Sequence, residues 1–196
     1  MQLTKSIFVG LLSILSMDND PHISLDRNTV MEGNEVFKEE LVLNPLEGMW
    51  YYKGQPFTGY ALSQHDNGML AEQIGYFKGK KEGMARKWFS TGELRSQANY
   101  IRNRLNGEFK SWWPNGVIST TSQYRMGVKH GDQCKWYPTG QLARVTRLNL
   151  GKEEGLQQAW LASGKIYANY EAKNGRFFGL KRSNLCYELK DEIVQK

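Results

Sequence analysis

Six glycines set the ground plan of this chain. Gly59, Gly83, Gly107, Gly131, Gly155 and Gly179 recur every 24 residues, and a second glycine follows nine residues after each of the first five, at Gly68, Gly92, Gly116, Gly140 and Gly164. A fixed period of this kind marks an array of like supersecondary units, each too small to bury a core alone.

Positions are counted here from the opening glycine as zero. Position 5 is Trp88, Trp112, Trp136 and Trp160 in copies two to five, and Gln64 in copy one. Position 6 is His65, Phe89, Trp113, Tyr137 and Leu161; position 11 is Leu70, Leu94, Ile118, Leu142 and Ile166. Position 17 is Tyr76, Tyr100, Tyr124, Leu148 and Ala172. A short aromatic run, then Asn-Gly, Thr-Gly or Ser-Gly, then a longer alternating run describes a β-hairpin. In the second strand the apolar residues sit at odd positions and share one face, while Glu93, Arg95, Gln97 and Asn99 show the wet one. Links such as Lys78-Gly79-Lys80-Lys81 and Met126-Gly127-Val128-Lys129 join the copies. The fold expected is all-β: one elongated antiparallel sheet of stacked hairpins. At about 10 Å per hairpin, five copies reach about 50 Å.

The unit G-x-x-x-x-W-[FWY]-x-x-G-x-L, followed by Tyr and Gly-x-x-x-Gly, resembles the MORN repeat in its bacterial variant form over residues 59–178. The resemblance implies a binding scaffold without catalysis. Within that group the chain most resembles YwqK-type antitoxins, which implies a protein partner, with a toxin as one candidate.

Four segments follow from the patterning. Residues 1–17 form an apolar leader, with Lys5 before an uncharged run from Ser6 to Met17. Its length suits a secretory signal, and a buried strand or helix is the alternative. Residues 18–47 are an acidic lead-in, where Val36, Phe37, Leu41, Val42 and Leu43 are expected as one strand. Residues 48–178 hold the repeats, with five full copies from 59 and Trp50 to Gly59 as the remnant of an earlier one. Residues 179–196 are a truncated repeat and C-terminal cap. Export to the periplasm or envelope follows if the leader is a signal, and a cytoplasmic chain if it is not. No run of about 20 apolar residues offers an ordinary spanning helix.

The formal charge of +6 is uneven: residues 1–58 carry −4 and residues 59–196 carry +10. Position 21 places Lys80, Arg104, Lys152 and Arg176 at equivalent links, with Lys129 one step along in the remaining copy. Stacking would align them either as a soluble edge or as a surface for anionic lipid or polymer. Nucleic acid fits less well, because an exported chain would not meet it. Trp88, Trp112, Trp136 and Trp160 read as packing of the sheet itself, together with the opening glycines Gly59, Gly83, Gly107, Gly131 and Gly155. Phe89, Trp113 and Tyr137 point the other way and are the expected partner surface.

Catalytic and metal signatures are not found. Cys134 and Cys186 stand four strands apart, about 19 Å in a regular sheet, too far to bridge. His22, His65 and His130 are scattered. No zinc spacing, phosphate loop or nucleophile elbow occurs, and no cofactor is implied.

Overall fold

A computed structural model describes residues 34–181. The expected leader, the start of the lead-in and nearly all of the C-terminal cap, with His22 and Cys186, lie outside them. The described chain begins with β1 (Glu35–Phe37), a 3₁₀ turn (Lys38–Glu40), β2 (Val42–Asn44), β3 (Met49–Tyr52) and β4 (Gln55–Pro56). Copy one is β5 (Gly59–Gln64) and β6 (Leu70–Phe77); copy two is β7 (Lys80–Trp88) and β8 (Leu94–Ile101). Copy three is β9 (Arg104–Leu105), β10 (Gly107–Trp112) and β11 (Ile118–Arg125), and copy four is β12 (Val128–Trp136) and β13 (Leu142–Asn149). Copy five is β14 (Lys152–Glu153), β15 (Gly155–Trp160) and β16 (Ile166–Lys173), followed by β17 (Arg176–Leu180).

The repeats form one long sheet in chain order, antiparallel from β5 to β17. This is the all-β array of stacked hairpins that the period implies. Two details differ from the expectation. The N-terminal edge is closed by β1, which pairs parallel with β5, and the sheet is therefore mixed at that end. Val36 to Leu43 is not one strand: β1 joins the long sheet, β2 joins a separate small sheet with β3 and β4, and the 3₁₀ turn divides them. The turn is held by Phe37 N–H donating to Glu40 Oε1 (3.1 Å) and by Lys38 reaching Glu72 (2.6 Å). Among the described residues no helix is long and apolar enough to cross a membrane.

Two glycine devices repeat. Link turns such as Lys78-Gly79 and Leu150-Gly151 have both central residues at positive φ (47° and 77°, 47° and 83°), the primed geometry that matches strand twist. The opening glycines Gly83, Gly107, Gly131 and Gly155, at φ 72° to 84°, sit in a bulge. There the register moves from Ile74↔Ala85 to Tyr76↔Lys81, and copy four repeats the step. A further bulge before each tip, between Lys87 and Trp88 for instance, brings Trp88 opposite Leu94. That slip puts the position 5 tryptophans on the face that carries positions 11 to 17 at odd numbers.

Among the described residues this face is covered over copies one and two. Leu41 and Phe57 are buried against Ala61, Ile74, Tyr76 and Ala85, with Trp50 and Tyr52 packed at the margin. Residues 38–57 thus form a lid on copies one and two. Trp50 N–H donates to Gly79 O (2.7 Å), which ties the lid to a link turn. A Cβ on Gly79 would meet Trp50 O at 2.9 Å, so the close approach as well as φ requires glycine.

Two buried groups under the lid carry testable consequences. Tyr76 is fully buried between Trp50 and Phe57, with centroids 6.2 and 5.9 Å away, and its hydroxyl has no hydrogen-bond partner among the described residues. Tyr76→Phe should hold or raise stability by up to about 1 kcal/mol, because an unpaired hydroxyl leaves the core. Tyr76→Ala should cost about 4 kcal/mol. Urea denaturation distinguishes these outcomes. Glu72 lies between Lys38 (2.6 Å) and Lys87 (2.7 Å). Burial pushes its carboxyl upward, but the two ammonium groups outweigh this and hold it below the ordinary range. A depressed folded pKa gives stability that is present at neutral pH and lost as pH falls through that pKa. Glu72→Gln should therefore cost about 2 kcal/mol at pH 7, and the gap to the parent should close in acid.

Candidate functional site

The aromatics expected to meet a partner are engaged within the array. Trp113 Nε1 donates to Trp136 O (3.1 Å) and Tyr137 OH donates to Trp160 O (2.9 Å). His65 Nε2 makes the same reach to Trp88 O at 3.0 Å. Asn67 and Asn115 add donors to Ser90 O (2.7 Å) and Pro138 O (2.8 Å). Each bond joins the tip of one copy to the next. Phe89 has no donor, and the Arg95 guanidinium stacks over its ring at 5.9 Å. Phe89, Trp113 and Tyr137 are all half-buried. The signal for this role was in the residue types at position 6, since His, Trp and Tyr share a ring-borne donor.

The cation row forms on the face opposite the lid. Lys80, Arg104, Lys152 and Arg176 pair in register with Phe77, Ile101, Asn149 and Lys173. Lys129 is not in that row. It pairs with Tyr124 on the lid face, because one step along a strand reverses the side chain, and Val128 opposite Arg125 fills the vacated place. Near these cations three apolar side chains face solvent: Met126 (42% exposed), Val128 (43%) and Leu150 (58%). Met126 and Leu150 are also at positive φ, 50° and 47°, which bulky residues avoid.

The lid face changes character beyond copy two. Trp112, Trp136 and Trp160 continue along it opposite Ile118, Leu142 and Ile166, each half-buried, and Tyr124 stands in the next row. Where copies one and two carry Ala61 and Ala85, copies four and five carry Gln133 and Gln157. Gln157 accepts from Arg147 N–H (2.8 Å) and donates to Arg147 O (2.9 Å) and Gly155 O (3.1 Å), so its amide fills the glycine bulge. Lys135 stands directly opposite Arg144, both exposed. Like charges in register repel, and among the described residues neither cation has an ion pair.

Arg144 also borders a cavity of about 350 Å³ with Thr146, Glu153, Gln157, Ala159, Tyr170 and Lys181. Tyr170 OH donates to Glu153 Oε2 (2.9 Å). Burial first, then that bond, pushes the Tyr170 phenol up to about 12. Lys181 Nζ lies 3.2 Å from the Phe177 ring centre, and Phe177 meets Tyr170 edge to face. Cys134 is half-buried on the opposite face, and burial raises its thiol pKa, which argues against a reactive thiolate.

Comparison with known proteins returns no match among curated proteins. A family model described as MORN repeat variant matches residues 105–126 and 129–146, which cover most of copy three and the first strand and tip of copy four. Over the matched residues the chain is thus similar to the MORN repeat variant, and these two copies share their register, bulges and link geometry with their neighbours.

Proposed function

We propose that the chain is a non-catalytic binding scaffold whose lid face, over copies three to five, receives a protein partner. One observation carries this reading. The same face is covered by the chain's own residues 38–57 over copies one and two, yet over the later copies its tryptophans and Tyr124 are uncovered among the described residues. Tyr124 stands half-exposed in the row where Tyr76 is fully buried under the lid, beside the half-exposed tryptophans, and such an aromatic surface suits a partner. The acidic groups favour a scaffold over a reaction centre: Glu72, Glu108 and Asp132 face Lys or Arg, and Glu153 holds Tyr170. Resemblance to YwqK-type antitoxins suggests a toxin held inactive by occlusion.

A second reading rests on Met126, Val128 and Leu150. Exposed apolar side chains at successive link turns, in the row that carries Arg104, Arg125 and Lys152, suit insertion into an anionic lipid surface.

Two experiments separate these readings. A photo-crosslinking residue in place of Tyr124 should give one discrete protein adduct in cells that express the chain, while the same residue in place of Gln97, on the opposite face, should give none. Absence of the Tyr124 adduct would rule out the protein reading. Met126→Asn with Leu150→Asn should raise stability by about 1 kcal/mol, since Asn tolerates positive φ. If the lipid reading holds, the same change removes binding to phosphatidylserine vesicles; vesicle binding that is unaffected, or absent in the parent, discards it.

A further inference from the structure

Position 13 of the repeat tells what chemistry the uncovered face wants. In copy one this position is Glu72, which lies under the lid, and the lid answers it with a cation, Lys38 at 2.6 Å. In copy four the position is Arg144, and its registered neighbour is Lys135. The sheet position is the same and the sign is reversed. Glu72 also has Lys87 opposite it within the sheet, whereas the Lys135–Arg144 pair has no acid from either strand. Thr120 lies on the other side of Lys135 and Ala159 on the other side of Arg144, so neither neighbour in that row supplies a counter-charge. The Glu153 carboxylate borders the same cavity as Arg144 and accepts from the Tyr170 hydroxyl (2.9 Å), but among the described residues it forms no ion pair with Arg144 or Lys135.

We propose that the lid face over copies four and five receives an extended acidic protein segment, laid across it as residues 38–57 lie across copies one and two, with a carboxylate set between Lys135 and Arg144. The inference rests on the scaffold reading above and adds the partner's charge and placement. Arg144 can take a carboxylate bidentately, Lys135 adds a point charge, and Gln157 and Thr146 border the adjoining cavity as neutral polar groups. Tyr124, Trp136 and Leu142 offer an apolar margin like the one that Trp50 and Phe57 occupy at the other end.

The test uses the full chain and two synthetic peptides of its own residues 34–57, one natural and one carrying Lys38→Glu. The Lys38→Glu peptide cannot exchange favourably with the native lid, because it would set a carboxylate against Glu72. It should nonetheless bind, by calorimetry, and its affinity should fall at least about tenfold in the Lys135→Glu/Arg144→Glu chain. The natural peptide should not respond to that double substitution. Both cations are exposed, so the fold should survive, and Lys135→Gln/Arg144→Gln provides a milder variant with the same expected direction. Failure of the Lys38→Glu peptide to bind, or binding indifferent to both double variants, overturns the proposal. Loss of phosphatidylserine-vesicle binding in the double variant, with peptide binding unchanged, also overturns it and assigns the pair to a lipid. A Tyr124 crosslink that persists at full yield in the double variant would leave the scaffold reading standing while removing the acidic segment from it.

Discussion

Everything in this sheet depends on how one link turn sits on the next. The second residue of each turn donates its N–H to a carbonyl of the preceding link: Gly79 to Phe57 (2.7 Å), Asn103 to Lys81 (2.9 Å), Gly127 to Leu105 (2.6 Å) and Gly151 to Lys129 (2.8 Å). The geometry needs positive φ at two successive residues, and then a bulge at the opening glycine to return the chain to register. A second ladder runs along the tips, through position 6 side chains and Asn67 and Asn115. The link ladder pins one end of the hairpins, and the tip ladder pins the other where copy one meets two, three meets four and four meets five. This explains how a single-layer sheet keeps its form with few large buried side chains: nearest-neighbour contacts, repeated, replace a deep core.

Among the described residues the cluster of large buried apolar side chains lies beneath the lid. Ala61, Ile74, Tyr76 and Ala85 are buried there, and the equivalent row further along becomes Ser122, Gln133, Thr146 and Gln157. The substitution of amides for alanines is physically coherent. Away from the lid a large apolar side chain would face water, whereas Gln133 and Gln157 bond the bulge carbonyls and stiffen the turn they sit beside. The lid face is therefore graded, apolar where the chain covers itself and polar with an aromatic margin where it does not.

The period made much of this legible. Strand pairs, tips, links and the shared face of positions 11 and 17 all follow from the spacing of glycines and aromatics, whereas the tryptophans join that face through a bulge. Three further things did not follow, two because they depend on partners distant in sequence and one because of strand parity. The split of Val36 to Leu43 depends on Lys38 finding Glu72, 34 residues away. The engagement of Trp113 and Tyr137 depends on backbone carbonyls of the next copy, and a carbonyl leaves no mark in residue identity. The separation of Lys129 from the cation row follows from strand parity, which a count of charged links overlooks.

In an array of near-identical units, the positions that keep the period are explained by stacking, so the departures from it carry the information about use. Leu150 and Met126 stand at turn sites where the other copies have Lys78, Arg102 and Asn174 at the same positive φ, so what sets them apart is an exposed apolar side chain and not the backbone. Lys135 facing Arg144 replaces the neutral or compensated pairs seen at the same rows of other copies, such as Ser111 opposite Thr120 or Glu72 opposite Lys87. Both features fall in copies three and four, beyond the lid. The two clusters lie on different parts of the surface, one at the link turns and one on the lid face, so a partner on one leaves the other free.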